Sequence, residues 1–322
     1  MIKVSGLTKT FGNIKAVDDI SFDVLEGENL VLLGTSGCGK TTTLKMINRL
    51  IDPDAGTISI NEVDTSREKP ELLRRKIGYV MQNIGLFPHY TVAENIAVVP
   101  RLLQWDKKHT INRTLELLKK LHLPENYLQL FPRELSGGQQ QRVGLARALI
   151  SDPDILLMDE PFGALDNVTR SSIQAEFKAL EEFTKKTILM VTHDVQEAFE
   201  LADRICLMDQ GKIIQIGTPK ELLFTPKNDF VIRFLDGQRL ALQFKLVTIE
   251  DLWEFLPEDP RHTNKTISAD KASMWSVMEA FSADRSIEHQ FFVNTRTKTI
   301  KGLNFTQLTN AFNSYQNKEI HD

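Results

Sequence analysis

Glycines, threonines and a lysine lie close together in the stretch LLGTSGCGKTTTLKMINRL, residues 32–50. Gly34, Gly39, Lys40 and Thr41 fit the pattern GxxxxGK(S/T), whose glycines leave backbone N–H groups free to surround a phosphate. The lysine of this pattern reaches the outer phosphates, and the hydroxyl group that follows ligates magnesium. The stretch therefore predicts a nucleotide phosphate loop. Its residues are Gly34, Thr35, Ser36, Gly37, Cys38, Gly39, Lys40, Thr41 and Thr42.

The segments on either side of this loop are those that the pattern requires. ENLVLLG is a short apolar run between Glu28 and Gly34, which is typical of a buried strand. KTTTLKMINRL places Leu44, Ile47 and either Leu50 or Ile51 at helical spacing. A plain glycine-rich turn is the alternative, but the order of strand, loop and helix favours a phosphate site at the positive end of the helix.

A pair of carboxylates supplies the second half of such a site. In DPDILLMDEPFGALD an apolar run, residues 155–158, leads into Asp159 and Glu160, and Pro161 is predicted to end the strand. Neighbouring carboxylates at the tip of a buried strand need a positive partner. A solvated acidic loop would be the simpler interpretation without a phosphate loop. With one, Asp159 is predicted to hold Mg2+ and Glu160 to orient and polarise the attacking water.

Composition limits the other classes of function. The chain has 322 residues, 41% hydrophobic and 25% charged, with a net charge of -4, which is ordinary for a globular protein and gives no general attraction to nucleic acid. Cys38 and Cys206 lack metal-type spacing, which predicts a reducing, intracellular setting without structural zinc. The sequence also shows no signal-peptide core and no apolar run near the roughly 20 residues that span a bilayer, so we expect no transmembrane segment.

A third motif, LSGGQQQRVGLARAL, spans residues 135–149 and predicts a second glycine-rich helix start. With this motif the sequence resembles the ATP-binding subunits of ABC transporters, over about residues 1–236. The resemblance implies an α/β fold of the P-loop NTPase class, with a RecA-like core and a helical subdomain at about residues 90–150. It also implies an ATPase with ATP and Mg2+ as cofactors. A small-molecule kinase would share the phosphate loop but would not account for LSGGQ.

The resemblance assigns roles to individual residues. Two such domains pair head to tail, as a homodimer or pseudo-dimer, so that the glycine-rich motif of one chain caps the ATP of the other. The capping residues would be Ser136, Gly137, Gly138 and Gln139, and Asp166 would also act across the dimer. Phe11 lies where the family stacks an aromatic ring, usually tyrosine, on adenine, and phenylalanine keeps the stacking face.

The same resemblance supplies the remaining catalytic and metal groups. Gln82 would touch magnesium and the water and link to the membrane subunit, and His193 would lie near the γ-phosphate. The catalytic set implied is Lys40, Gln82, Glu160 and His193. The metal ligands implied are Thr41, Gln82 and Asp159.

The stretch GLFPHYTVAENIAVVPRLLQW and the phosphate loop look most like those of bacterial osmoprotectant importers, which take up glycine betaine, choline and carnitine. Leu115, Leu118 and Leu121 are predicted to form the apolar stripe of a helix in the subdomain that receives the membrane subunit. The partners implied are integral membrane permease subunits and, through them, a periplasmic or extracellular solute-binding protein. The location implied is peripheral, on the cytoplasmic face of the membrane.

Two other functions remain open at this point. The importer could carry another small polar solute, because no residue of this chain would touch the cargo. A soluble ABC ATPase acting on nucleic acid or ribosomes is the rival from a different class. One compact cassette without sustained heptads or a strongly basic tail disfavours it, and we expect no nucleic acid partner.

Residues 237–322 depart from the ATPase pattern and are predicted to form a small α+β domain. Their order is helix, strand, polar turn, strand, helix, with Trp275, Met278 and either Phe281 or Ser282 predicted on one helix face. This order resembles a single CBS module, a regulatory appendage of several osmoprotectant ATPases that usually carry two. A domain that only docks the ATPase or aids dimerisation is the alternative.

Overall fold

The computed structural model describes residues 1–163, 165–179, 186–258, 266–284 and 286–321. The chain divides into two compact units, Met1–Thr218 and Pro219–Asp322. Residues 219–235 thus belong to the second unit, although the family resemblance extends to about residue 236. The division of the chain at residue 236 into a cassette and an accessory domain stays a prediction.

The first unit alternates strands with helices, as expected of an α/β protein. Its strands are β1 (Ile2–Phe11), β2 (Ile14–Val24), β3 (Asn29–Gly34), β4 (Ala55–Ile60), β5 (Val63–Asp64), β6 (Ile77–Val80), β7 (Ile155–Asp159), β8 (Thr187–Thr192), β9 (Arg204–Asp209) and β10 (Lys212–Gly217). Its helices are α1 (Lys40–Ile47), α2 (Pro70–Arg75), α3 (Val92–Ile96), α4 (Val98–Leu102), α5 (Lys107–Lys120), α6 (Gly137–Leu149), α7 (Asn167–Ala179) and α8 (Val195–Leu201).

Two sheets organise this unit. A four-stranded sheet has the order β2-β1-β4-β5, and a six-stranded sheet has the order β10-β9-β3-β8-β7-β6. In the second sheet β6, β7, β8, β3 and β9 run parallel, and only β10 is antiparallel to its neighbour. The carboxyl ends of β3, β8, β7 and β6 therefore meet at one edge of the sheet, where ligands bind in open α/β sheets.

Burial explains why the central strands form. Every residue of β8 and every residue of β7 is buried, as expected for parallel strands covered on both faces. The core joins side chains of both sheets with apolar residues of α1, among them Leu44 and Ile47, which are fully buried. The strand and helix predicted on either side of the phosphate loop are thus present.

Three local predictions differ from the structure. Helix α1 ends at Ile47 because Arg49 adopts a left-handed φ of 49°, so Leu50 lies beyond the helix and is exposed. Of the predicted stripe, Leu118 and Leu121 are buried but Leu115 is only half-buried, and Thr114 and Leu117 complete the buried face of α5. Strand β7 ends at Asp159, before Pro161, because Glu160 already has a positive φ of 44°.

The last four elements of the second unit follow the predicted order helix, strand, strand, helix, and in the described part of the chain three α-helices and a two-residue strand that were not predicted precede them. The elements of this unit are α9 (Pro219–Phe224), α10 (Asp229–Leu235), α11 (Arg239–Leu246), β11 (Ile267–Ser268), α12 (Met274–Ala283), β12 (Gln290–Val293), β13 (Ile300–Leu303) and α13 (Phe305–His321). The sheet order is β11-β12-β13, with β11 parallel to β12. The buried residues of α12 are Met274 and Val277, so the predicted face through Trp275 was wrong. The likeness to a CBS module stays a prediction.

Candidate functional site

The phosphate loop connects β3 to α1 and depends on its glycines. Gly34 and Gly39 have φ angles of 154° and 106°, which side chains rarely adopt. A Cβ atom on Gly39 would lie 2.3 Å from the carbonyl oxygen of Ala16, and one on Gly34 would lie 2.1 Å from that of Met208. The loop can therefore take this path only because neither residue carries a side chain.

Lys40 begins α1 and turns back across the loop. Its Nζ atom donates to the carbonyl oxygens of Gly34 and Thr35, both at 2.8 Å, and the residue is only 5% exposed. These bonds satisfy a buried ammonium group and hold its charge inside the loop. The lysine is thereby placed to neutralise a phosphate that enters the same space.

Thr41 and Asp159 meet although they are far apart in the sequence. The Thr41 hydroxyl donates to Asp159 Oδ1 at 2.7 Å. Burial raises the pKa of the Asp159 carboxyl group, and the hydrogen bond from Thr41 opposes that shift. The pair offers a hydroxyl and a carboxylate oxygen next to the phosphate loop, which are the hard ligands that Mg2+ prefers. The chemistry of these donors fits a magnesium ion shared with nucleotide phosphates.

Glu160 is held by residues from the two neighbouring strands. Gln82 follows β6, and its Nε2 atom donates to Glu160 Oε2 at 2.9 Å. His193 follows β8, and its Nδ1 atom lies 3.1 Å from Glu160 Oε1. The backbone N–H of Glu160 donates to the carbonyl oxygen of Val191 at 2.9 Å. The structure thus brings three of the predicted catalytic residues together, with both carboxylate oxygens of Glu160 oriented.

The LSGGQ motif forms the start of α6. Ser136 is the N-cap: its Oγ accepts from the backbone N–H of Gln139 at 3.3 Å, and Gln139 Oε1 accepts from that of Ser136 at 2.8 Å. Gln139 also donates to the Tyr127 hydroxyl at 3.2 Å. Among the described residues, no hydrogen bond joins this motif to the phosphate loop of its own chain.

Phe11 and Asp166, the remaining predicted site residues, lie outside the phosphate loop and the LSGGQ motif. Phe11 ends β1 and is 50% exposed, with the Lys9 ammonium 5.6 Å from its ring centre. Asp166 is an exposed residue just before α7, and its carbonyl oxygen accepts from Arg170 N at 2.9 Å. Both residues are therefore at the protein surface.

Several residues that support the site were not predicted. Asp209, at the end of β9, accepts a bond from the Thr35 hydroxyl at 3.1 Å. Behind His193, the Thr192 hydroxyl donates to Glu197 Oε2 at 2.5 Å. Asp194 accepts from the backbone N–H groups of Gln196 and Glu197 and so caps α8. The D-x-x-E spacing of a helix start was the available signal for this last group.

Comparisons with known proteins place this geometry in a family. A sequence profile described as ABC transporter matches residues 17–163. The glycine betaine/carnitine/choline transport ATP-binding protein of Bacillus subtilis is 48% identical over 272 residues, 84% of this chain and 70% of the relative. The glycine betaine uptake system ATP-binding protein of Escherichia coli is 43% identical over 309 residues, 96% of this chain and 99% of the relative.

Solved structures agree with these matches. The dimeric structure of a bacterial ABC transporter cassette has a TM-score of 0.61 and 36% identity, covering 68% of this chain and 98% of its own. A dimeric post-hydrolysis state of the same cassette, bound to ADP and Pi, has a TM-score of 0.61 and 35% identity. Within the part of the chain that the structure describes, no helix is both long and apolar enough to cross a membrane. Sequence identity, fold and motif order together show that the chain belongs to the ABC transporter ATP-binding proteins and is an ABC-type ATPase.

Proposed function

We propose that this chain is the ATP-hydrolysing subunit of an importer for quaternary amine osmoprotectants such as glycine betaine, carnitine or choline. The proposed cargo rests mainly on the relative from Escherichia coli. That protein is named for glycine betaine uptake and matches over nearly the full length of both chains. The Bacillus subtilis relative is named for the same class of solute.

We infer that the nucleotide binds with its phosphates in the loop of residues 34–42 and its adenine on Phe11. Lys40 then neutralises the outer phosphates, since its ammonium group is already held within the loop. Thr41, Gln82 and Asp159 would hold Mg2+, which neutralises charge between the β- and γ-phosphates when it is bound. Phosphoryl transfer needs mainly placement and charge neutralisation, and this arrangement supplies both.

In this proposal Glu160 orients and polarises the water that attacks the γ-phosphate. Its position depends on the bonds to Gln82 and His193, which contact one carboxylate oxygen each. His193 is 59% exposed at its side chain, so its ring is accessible to a phosphate. Gln82 and His193 thereby link the position of Glu160 to the strands on either side of β7.

We further propose that the active unit is a dimer with composite sites. The Ser136 motif and Asp166 would cap the ATP of the partner chain, and the dimeric cassettes among the solved structures support this arrangement. A nucleotide that contacts both chains favours the closed dimer, and loss of the γ-phosphate removes part of that preference. Hydrolysis would then drive opening and closing of the pair.

A groove lined by residues of α3, α4 and α5 supports docking to a permease. It has a volume of about 600 Å3 and is lined by apolar, cationic and polar side chains and by the acidic Glu94. Its lining includes Arg101, Trp105, Lys107, Ile111 and Leu128. We propose that membrane permease subunits bind here, that a solute-binding protein acts through them, and that the chain lies on the cytoplasmic face of the membrane.

The test is reconstitution in proteoliposomes with candidate permease and solute-binding subunits from the same organism. We expect ATP-dependent uptake of labelled glycine betaine, carnitine or choline, and little uptake of dimethylglycine, which lacks the fixed positive charge. Glu160→Gln should abolish uptake while retaining an ATP-bound dimer. Uptake of an unrelated polar solute, with none of the quaternary amines transported, would contradict the proposed cargo without affecting the ATPase assignment.

A further inference from the structure

One arginine joins two loops beside the catalytic glutamate. Arg170 lies in the first turn of α7, directly after the loop that contains Asp166. Its Nη2 atom donates to the carbonyl oxygen of Leu165 at 3.0 Å, and its Nη1 atom donates to Asp194 Oδ2 at 3.2 Å. The planar, forked guanidinium group can make both bonds at once, which a lysine cannot do in the same geometry.

Asp194 is as firmly held as its partner. Its second oxygen, Oδ1, accepts from Gln196 N at 2.9 Å and Glu197 N at 3.2 Å, and its own N–H donates to Thr192 Oγ1 at 3.0 Å. His193 therefore lies between two residues with fixed backbones. The side chains of Arg170 and Asp194 are 25% and 30% exposed, so their ion pair is partly shielded from solvent.

We propose that Arg170 and Asp194 are a positioning pair that keeps the loop of Asp166 in a fixed relation to the loop of His193. The inference rests on the proposed composite sites, in which Asp166 serves the partner's nucleotide and His193 serves that of its own chain. Movement of one loop is then passed to the other through the guanidinium group. Both residues act through Asp166 and His193 rather than by contact with the nucleotide.

The experiment compares Arg170→Ala, Asp194→Asn and the double variant in steady-state ATPase assays of the full chain. Asp194→Asn keeps an oxygen that can cap α8 but removes the charge that holds Arg170. We expect kcat to fall about tenfold in each single variant, with KM for ATP changed less than about twofold, because positioning is lost and binding is kept. The double variant should be no worse than either single one, since both remove the same interaction. Arg170→Lys should recover only part of the lost kcat.

A second ion pair provides the matched control. Arg204 Nη1 lies 3.0 Å from Glu28 Oε1 near the amino ends of β9 and β3, at the opposite end of the strands from the catalytic residues. Arg204→Ala should lower the unfolding midpoint in urea at least as much as Arg170→Ala, because it leaves Glu28 buried at 7% exposure without this partner. Its kcat per folded molecule should equal that of the wild type.

Three results would overturn the inference. These are an unchanged kcat in both single variants, additive losses in the double variant, or a loss of kcat in Arg204→Ala that matches its loss of stability. Failure of the composite sites is detected separately, by mixing chains with defects in different halves of the site. In that case the Arg170 variants would still report on His193 of the same chain, so the two failures are distinguishable.

Discussion

Glu197 is a buried carboxylic acid just behind the proposed catalytic residues. It is 4% exposed, its Oε2 accepts from the Thr192 hydroxyl, and its Oε1 has no hydrogen-bond partner among the described residues. Burial raises the pKa of this group to about 7, the hydrogen bond from Thr192 and the charge of Arg170 oppose the shift, and Asp194 and Glu160 add to it. The loop of His193 is therefore built over a group that titrates near neutral pH.

This shift makes stability depend on pH through one residue. The folded chain keeps the Glu197 proton to about pH 7, whereas the unfolded chain releases it near pH 4.5. The contribution of Glu197 to stability is thus fully present below the pKa of the unfolded chain, 4.5, and is lost as pH rises through 7. The unfolding free energy of Glu197→Gln minus that of the wild type should therefore increase by on the order of 2–3 kcal/mol from pH 5 to pH 8, because glutamine cannot ionise.

Urea denaturation at several pH values measures this difference. The variant Glu26→Gln, at an exposed position, is the control and should follow the wild type at every pH. A constant difference in unfolding free energy between Glu197→Gln and the wild type from pH 5 to pH 8 would show that Glu197 is not the titrating group.

At the scale of single elements, two helix starts belong to the proposed nucleotide site and depend on different features. The start of α1 needs glycine, since any Cβ atom on Gly39 meets the backbone of Ala16. The start of α6 needs a side-chain cap, which Ser136 and Gln139 provide by exchanging hydrogen bonds. The first is a requirement of packing and the second of hydrogen bonding.

Gly39→Ala should destabilise the fold and abolish ATP binding, because the new methyl group would lie 2.3 Å from the Ala16 carbonyl oxygen. Gly27→Ala is the matched control, since Gly27 also has a positive φ of 73° but has open space around it. Left-handed backbone alone costs about 1–2 kcal/mol for alanine, so Gly27→Ala should lose that much stability and keep its affinity for ATP. Equal losses in denaturant titrations and equal ATP affinities would contradict the role of the close approach.

Ser136→Ala tests the second helix start, and Thr91→Ala, which removes an equivalent N-cap, is the matched control. Thr91 caps α3 with the same bond lengths, 3.3 Å from Glu94 N and 2.8 Å to Glu94 Oε2. Each variant should lose about 1 kcal/mol of stability with its cap. Only Ser136→Ala should also lower ATPase turnover of the isolated subunit, by at least about tenfold, because in the proposed dimer it removes a group that would contact the transferring phosphate of the partner's ATP. Equal turnover in the two variants would leave Ser136 with a structural role alone.

At the scale of the whole molecule, one chain assembles only part of the proposed site. Adjacent parallel strands bring Lys40, Asp159, Glu160 and His193 to one edge of the sheet. Ser136 instead makes its described hydrogen bonds within its own helix start. A pocket that lacks its cap explains why the dimer is the proposed active unit.

Complementation between two inactive variants tests this directly. A mixed dimer of Lys40→Ala and Ser136→Ala chains contains one intact composite site, made of Lys40 from one chain and Ser136 from the other. Random pairing of equal amounts should therefore restore about a quarter of the intact sites of the wild type. ATPase activity of the mixture, compared with each variant alone, is the measurement. No recovery, with mixed dimers demonstrated by differential tags, would mean that each chain completes its own pocket.

The sequence by itself determined the motifs and the local structure around them. Glycine spacing, an apolar run and a helical pattern predicted the phosphate loop between β3 and α1, because each is a local property of the chain. The order helix, strand, strand, helix near the C-terminus was predicted for the same reason. Local pattern was less reliable where a single backbone angle sets the end of a helix. Arg49, for example, adopts a left-handed φ just after α1.

Only the tertiary structure decided which distant residues meet. The bond of Thr41 to Asp159, the contacts of Gln82 and His193 on Glu160, and the bridge from Arg170 to Asp194 all cross long stretches of sequence. Strand order in a parallel sheet sets these contacts, because it fixes which carboxyl ends are neighbours. The residue pattern of a single segment does not determine strand order. The supporting residues behind His193 could therefore be identified only from the tertiary structure.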